Sequence, residues 1–305
     1  MQVIKVINSS QYAYVFSPYL KPIASVTPGE KVVIETQDAY GGAITSPNDI
    51  PSQVVRLPYV NPQTGPIHIE GAEKGDAVVV EIQDIQPLRN WGASWIAPEF
   101  GGLVATGLTR LLHAPLPEKL YTYKIKDGFV YFNDRIRFPY HPFFGTMATA
   151  PEMEAISTLT PGPHGGNMDL PETCVGHKVY LPVKVEGALL YLGDVHAAQG
   201  DGEVCGSAVE IPARSTITIQ LKKKAFIDWP RIESNDHIMA VGSARPMEDA
   251  IRIAFVELIR WLERDYGVEQ MDAYQLCTQV STVRLGNMVD TAYTLAAKFP
   301  REFLK

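Results

Sequence analysis

Short alternating apolar segments, separated by proline and glycine, run through most of this chain. Residues 31–36 (KVVIET) and 77–85 (AVVVEIQDI) are rich in β-branched residues, which favour strands. Residues 67–70 alternate in the same way, and residues 121–132 form two alternating arms around Asp127-Gly128, a dipeptide typical of a tight hairpin turn. Because a helix would repeat its apolar residues three or four apart, this period of two predicts sheets.

Helix signals appear only late in the sequence. Pro246 suits a first helical position, an apolar face with helical spacing follows it, and Gly267 suits the helix end. Residues 269–277 predict a second helix, and the alternation of residues 290–299 predicts a last strand. We expect an α+β fold that is predominantly β, with packed antiparallel sheets in a sandwich or barrel and a small helical layer near the C-terminus.

The middle of the chain predicts further strands at residues 177–185, 188–192, 204–211 and 215–221. Residues 88–118 resemble a loop. Pro and Gly in residues 160–170 predict that this segment forms no regular element. We expect one unit over residues 1–305, with a weak internal boundary near residue 150.

A polar loop lies between two of these predicted strands and is the strongest candidate for a functional site. It covers residues 194–203 and holds three carboxylates, an imidazole and an amide, on Asp194, Asp201, Glu203, His196 and Gln199. A connecting loop has no packing need for this set, whereas a metal site or a proton-transfer site does. A solvated polar hairpin is the alternative.

Asp194 and His196 are two residues apart and would project from one face if the strand continues through them. A carboxylate beside an imidazole suits zinc, manganese or iron. Calcium would prefer more oxygen ligands, which Asp169, Asp201 and Glu203 can supply.

Two distant segments carry further candidates. Asp38 follows the predicted strand 31–36, where it either points into a cleft or occupies a solvated turn. His164, Asn167 and Asp169 lie close together in the segment rich in Pro and Gly, either as ligand-type neighbours or as exposed loop residues.

Several function classes are disfavoured. The formal charge of −7 argues against a nucleic-acid partner, and no apolar run reaches the length of a membrane span. The three cysteines include no C-x-x-C pair, and Cys205 is interpreted as a small core residue of a strand. The sequence lacks a nucleophile elbow, a phosphate-binding loop and H-E-x-x-H. No signal peptide is recognisable, so we expect a cytoplasmic protein.

The sequence resembles the acetamidase/formamidase family of metal-dependent amidohydrolases. The motifs that carry the resemblance are GDVHAAQGDGEVCGSAVE at 193–210, PGPHGGNMD at 161–169, ETQDAYGG at 35–42, NPQTGPIHIEGAEKGD at 61–76 and the predicted helix at 245–268. The resemblance spans nearly the whole chain.

This resemblance implies hydrolysis of a short aliphatic amide, such as formamide or acetamide, to ammonia and a carboxylate by metal-activated water. It implies a divalent metal, with zinc expected first and calcium as the alternative. Because soluble enzymes usually self-associate symmetrically, we also expect a homo-oligomer, with a dimer first. The implied metal ligands are Asp38, Asp194, His196 and Asp169, the catalytic residues are Glu203 and His196, and the substrate-binding residues are His164 and Asn167.

Two alternatives stay open at this point. The first is a β-protein that binds a metal or a small ligand without catalysis. The second is a hydrolase of another C–N bond or of an ester.

Overall fold

A computed structural model of the chain describes residues 5–8, 11–104 and 115–304. Within them the strands are β1 Lys5–Ile7, β2 Val15–Phe16, β3 Ala24–Val26, β4 Lys31–Thr36, β5 Gln63–Ile69, β6 Ala77–Pro87, β7 Trp91–Ile96, β8 Lys119–Lys126, β9 Phe129–Tyr131, β10 Arg137–Pro139, β11 Phe143–Ala148, β12 Ile156–Ser157, β13 Gly165–Asn167, β14 Lys178–Pro182, β15 Leu190–His196, β16 Glu210–Ile211, β17 Ala213–Lys222, β18 Arg231–Glu233, β19 His237–Ala244, β20 Thr282–Asn287 and β21 Tyr293–Pro300. The helices are α1 Pro51–Val54, α2 Met247–Tyr266 and α3 Gln270–Val280, with a 3-10 turn at Arg301–Phe303.

Two large sheets form the body of the protein. One has nine strands in the order β1-β4-β17-β6-β14-β18-β19-β21-β20, and the other has ten strands along the path β10-β9-β8-β7-β16-β15-β11-β13, with β5 on β15 and β3 on β5. Pairing is antiparallel except at β1–β4 and β3–β5. The predicted α+β, predominantly β architecture is confirmed.

The main core lies between the two sheets. Ile34 and Ile217 from the nine-stranded sheet belong to the same buried cluster as Phe144, Leu190 and Leu192 from the ten-stranded sheet. Strands β11 and β15 are buried along their whole length. Side chains on β15 that point away from this core can therefore be buried only if another part of the chain covers them.

The helical layer covers the outer face of the nine-stranded sheet. Ile238 and Ala240 of β19 pack with Leu258 and Trp261 of α2, whereas Met239 of β19 points into the main core. The helix begins at Met247, after Pro246, and Gly267 ends it in the left-handed conformation, so the predicted helix is confirmed. Among the helices in the described ranges, none is long and apolar enough to cross a membrane.

A buried ion pair holds α2 to the sheet beneath it. Arg231 Nη2 of β18 lies 2.8 Å from Glu257 Oε1 of α2, and the guanidinium also stacks on the Trp261 ring at 4.8 Å. Burial lowers the pKa of Arg231, which Glu257 opposes, and burial raises the pKa of Glu257. Removing one partner would leave an uncompensated buried charge, so we expect the loss of either side chain to destabilise the protein.

Four local predictions were wrong or incomplete. Residues 88–118 include β7, in which three small residues between Trp91 and Trp95 allow close pairing. Residues 160–170 include β13, where two glycines at φ +93° reach conformations that other residues avoid. Only Glu210–Ile211 of residues 204–211 is a strand, and Cys205 is exposed and lies outside any strand. The sequence also did not predict β1, β2, β3, β10, β11, β12, β18, β19 or β20. Residues 105–114 of the predicted loop lie outside the described residues.

Gly242 of β19 offers a direct test of helix packing. A Cβ at this position would lie 2.2 Å from the Ala250 carbonyl oxygen and 2.8 Å from the Ala254 nitrogen. Gly242→Ala should therefore push α2 from the sheet and lower the free energy of unfolding by about 2–3 kcal/mol, measured by urea denaturation. Gly200→Ala, where a Cβ meets no atom within 4 Å, is the matched control. Equal stability of the two variants would contradict this packing.

Candidate functional site

Two neighbouring strands bring the polar residues of the motif together. β15 carries Asp194 and His196, and the cross-strand partner of His196 is Glu210 on β16. The segment between these strands carries Glu203, and Asp169 follows β13. All five side chains are buried. The strand continues through His196, so the loop itself begins at residue 197.

The side chains of this cluster lie close enough together for one cation to contact several of them. His196 Nε2 lies 3.4 Å from Asp194 Oδ1 and 3.3 Å from Glu210 Oε2. Two triads, Asp194–His196–Glu210 and Asp169–His196–Glu203, each place one ligand atom per residue within 4.8 Å of the others. Carboxylate oxygens with an imidazole nitrogen suit zinc or related divalent ions.

Gln199 fixes the orientation and the tautomer of His196. Its Nε2 donates to the carbonyl oxygens of Asp169 at 2.8 Å and Gly286 at 2.9 Å. Its Oε1 therefore faces His196 Nδ1 at 2.9 Å and accepts that N–H. The other ring nitrogen, Nε2, points at two carboxylates, so it either carries a proton or coordinates a cation. Such outer-shell contacts are the usual support of a metal-binding histidine.

The site concentrates negative charge away from water. Burial raises the pKa of Glu210 to about 8 and that of Asp290 to about 7, and it raises the pKa values of Asp169 and Glu203 well above their usual range. Burial lowers the pKa of His196, but Glu210 and Asp194 outweigh that effect and raise it to about 10. One imidazolium cannot balance this many carboxylates, so the cluster must bind protons or a cation.

Two oxygens in the cluster have no ordinary hydrogen bond. Asp169 Oδ1 and Glu210 Oε2 are both buried without one, and Glu210 Oε2 is ion-paired with His196 Nε2 at 3.3 Å. Buried carboxylate oxygens are normally satisfied. A cation bound among these residues would satisfy both oxygens.

Gly145 of β11 lets the cluster pack against the backbone. A Cβ there would lie 2.7 Å from Asp169 Oδ1, 2.7 Å from Asp194 Oδ2 and 2.8 Å from His196 Cε1. Any larger residue would displace these side chains. The strand backbone thus forms one wall of the candidate metal site.

A network of hydrogen-bonded polar side chains adjoins the cluster. Asn167 Oδ1 accepts from Asn61 Nδ2 at 3.0 Å, and Asn167 Nδ2 donates to Asp290 Oδ2 at 2.8 Å. Thr146 Oγ1 lies 3.0 Å from Asp194 Oδ2. The sequence did not single out Asn61, Thr146, Glu210 or Asp290, although Glu210 ends the motif at 193–210 and Asn61 begins the one at 61–76.

A cavity of about 240 Å³ opens beside the cluster. It is lined by Ala39, Tyr40, Leu57, Val60, Asn61, Trp95, Ala97, Phe100, Leu159, Asn167, Asp194, Glu203, Gly206, Ser207, Glu210 and Asp290. A small ligand in this cavity would therefore contact both the buried carboxylates and apolar side chains.

Asp38 and His164 lie apart from the two triads. The Asp38 carboxylate is 2.8 Å from Arg89 Nη2 and accepts from the backbone N–H groups of Tyr40 and Gly42. The buried His164 ring packs against Phe16 at 5.2 Å and is not part of the cavity lining. Asn167 does line the cavity. The roles of Asp38 as ligand and of His164 as substrate contact stay predictions.

Comparisons with known proteins agree on one family. The family model described as "Acetamidase/Formamidase family" matches residues 8–157 and 144–303. The chain is 32% identical over 257 residues to a formamidase of Methylophilus methylotrophus, covering 68% of this chain and 63% of that relative. The chain therefore spans less than two thirds of that relative's length.

Solved structures extend the similarity to nearly the whole chain. A crystal structure of an acetamidase from Yersinia enterocolitica has a TM-score of 0.97 and 46% identity, covering 99% of this chain and 93% of that one. An acetamidase structure from Bacillus halodurans has a TM-score of 0.90 and 31% identity, covering 98% of each chain.

His164 gives the folded protein a defined sensitivity to acid. Burial lowers its pKa from 6.5 to about 4, whereas the unfolded chain binds a proton near pH 6.5. Stability is therefore lost as the pH falls from about 6.5 towards 4. Between pH 7 and 4.5, the wild type should lose about 2 kcal/mol more free energy of unfolding than His164→Gln, which cannot titrate.

Urea denaturation at both pH values measures this difference. His141→Gln, at an exposed histidine, is the matched control and should behave like the wild type. If His164→Gln loses as much stability as the wild type, the buried imidazole does not cause the acid sensitivity.

Proposed function

Because this chain belongs to the acetamidase/formamidase family, we propose that it hydrolyses short aliphatic amides to ammonia and a carboxylate, with a divalent metal ion in the buried acidic cluster. The observation that supports the metal is the setting of His196. Its Nδ1–H donates a hydrogen bond to Gln199 Oε1, which leaves Nε2 facing two carboxylates. The buried Asp169 Oδ1, which has no hydrogen-bond partner, supports the same assignment.

Asp194, His196 and Glu210 would hold the cation, and Asp169 would add a further oxygen. The imidazole nitrogen favours zinc, while the number of oxygens keeps calcium as the alternative. Asp38 is also a predicted ligand, but its carboxylate would first have to separate from Arg89. When bound, the cation would polarise the amide carbonyl and activate water for attack.

Glu203 is the proposed acid and base. It lines the cavity, and burial raises its pKa well above that of an ordinary glutamate. Burial makes the carboxylate form of Glu203 a stronger base, which can take a proton from water and return it to the departing nitrogen, a poor leaving group unless protonated. The backbone around it is strained, since Glu203 has φ 46°, and this conformation determines where its side chain points.

Asn167 is the proposed substrate contact. Its side-chain nitrogen carries two hydrogens, one of which goes to Asp290. The other is available to a carbonyl oxygen in the cavity that Asn167 lines. Because Asn61 and Asp290 hydrogen-bond to the two ends of the Asn167 side-chain amide, Asn167 would orient a substrate without rearranging.

The test combines elemental analysis of the purified protein with ammonia release from formamide and acetamide. Bound stoichiometric cation and ammonia above a protein-free blank are expected. Bound cation without ammonia from any amide would favour a non-catalytic binding protein. Hydrolysis of lactams or esters alone would favour the other hydrolase class.

The predicted cytoplasmic location, the homo-oligomer with a dimer expected first, and the single unit over residues 1–305 with a weak boundary near residue 150 are part of this proposal. Symmetric self-association is the usual state of soluble enzymes. Size-exclusion chromatography with light scattering measures the oligomeric state.

Ligand variants should separate metal binding from proton transfer. Asp194→Asn and His196→Ala should each lower bound cation and turnover together, because one lost ligand weakens the whole site. Glu203→Gln should keep the cation and lower kcat by about 100-fold or more, the size of a general acid–base contribution. Full activity of Glu203→Gln would remove Glu203 from this role.

Gly145→Ala tests the packing of the site against β11. The added methyl group overlaps two carboxylates and His196, so we expect cation affinity, measured by isothermal titration calorimetry, to fall about 10- to 100-fold, as for other supporting changes. Circular dichroism should show the sheets intact. Gly200→Ala should bind as the wild type does, and wild-type affinity in Gly145→Ala would contradict the proposed site.

A further inference from the structure

The cavity beside the acidic cluster has two chemically different parts. Its carboxylates belong to one mutually interacting group, whereas most other lining side chains are apolar. The apolar side chains are those of Ala39, Leu57, Val60, Trp95, Ala97, Phe100 and Leu159. An amide group among the carboxylates would therefore direct its acyl chain towards an apolar surface.

The size of the cavity exceeds the needs of a one-carbon acyl chain. Its volume of about 240 Å³ far exceeds the roughly 30 Å³ that one water molecule occupies in the liquid. Formamide or acetamide would leave much of this volume to water in contact with apolar walls. A larger apolar acyl group would displace that water, which is favourable in proportion to the area covered.

The charge of the lining restricts the acyl group further. Among the described lining residues there is no lysine, arginine or histidine, and four are carboxylic acids. A carboxylate on the acyl chain would find no cationic partner and would be repelled. An ammonium group would have to leave water for an apolar surface.

Aromatic side chains form part of this surface. The rings of Tyr40 and Trp95 meet edge to face, with centroids 6.4 Å apart, and Phe100 lines the same cavity. The Tyr40 hydroxyl is hydrogen-bonded to Ser207, so the ring is held in place. Such a surface suits a flat apolar ring.

From these observations we infer that the site selects neutral primary amides whose acyl group is apolar and larger than acetyl, including acyl groups that carry an aromatic ring. This inference rests on the proposed amidase function. It adds the substrate class: the acyl chain contributes binding energy, and charged acyl chains are rejected.

The test measures kcat/KM with the metal-replete protein on acetamide, butanamide, pentanamide, phenylacetamide and adipamate, an amide with a terminal carboxylate. Each added methylene should raise kcat/KM about fourfold, so pentanamide should exceed acetamide by about 60-fold. Phenylacetamide should match or exceed pentanamide, and adipamate should fall below acetamide. A kcat/KM that stays flat or falls with apolar chain length would overturn the inference and leave the amidase function intact. Ammonia from none of the amides would overturn the proposed function itself.

A variant that fills the cavity tests whether its apolar surface holds the acyl group of the substrate. Ala97→Leu should lower the ratio of pentanamide to acetamide kcat/KM at least tenfold, since the new side chain occupies the acyl space. Val60→Phe serves as a second filling variant if Ala97→Leu does not fold. Ala155→Leu, at an exposed alanine away from the cavity, is the matched control. An unchanged ratio in a folded filling variant would place the acyl group elsewhere.

Discussion

The fold of this protein must overcome the repulsion among the buried carboxylates of its candidate site. Asp169, Asp194, Glu203, Glu210 and Asp290 are buried together with one imidazole. Separate hydrogen bonds hold several of them: Asn287 to Asp169, Thr146 to Asp194 and Asn167 to Asp290. Each bond removes part of the cost of desolvation, but the net charge stays uncompensated without a proton or a cation. The packed sheets and their core keep these groups close despite that cost.

The sequence predicted the elements that follow from periodicity and the site residues that share one motif. Strand β4, the hairpin of β8 and β9, and helix α2 each have a local pattern that tertiary packing does not override. Asp194 and His196 were found because they are neighbours. Glu210 and Asp290 were not, because a carboxylic acid in a strand or a turn has no local signature. Strand pairing places Glu210 opposite His196, and the segment after β20 brings Asp290 to Asn167. No short window of sequence contains these contacts.

The sequence also did not predict the backbone conformation of several site residues. Asn61, Asp169, Asp194 and Glu203 all have positive φ, a conformation uncommon outside glycine. Each lies in the site or in the network that supports it. Such strain persists only where surrounding contacts determine the backbone, and here hydrogen bonds and strand pairing do so. The missed strand β13 has the same origin, since the glycines that argued against a strand permit its tight contact with β11.

The network that runs from Asn61 through Asn167 to Asp290 also bears on biosynthesis. Its members come from segments separated by more than a hundred residues, as the contact between Asn167 and Asp290 illustrates. A growing chain can form early hairpins such as that of β8 and β9 while it is still being made. It cannot assemble the full set of carboxylates until the segment carrying Asp290 has been synthesised and paired. Capture of the proposed cation would therefore be a late event in the maturation of this protein, and a cell that ran short of the ion would accumulate a chain that is complete but still unloaded.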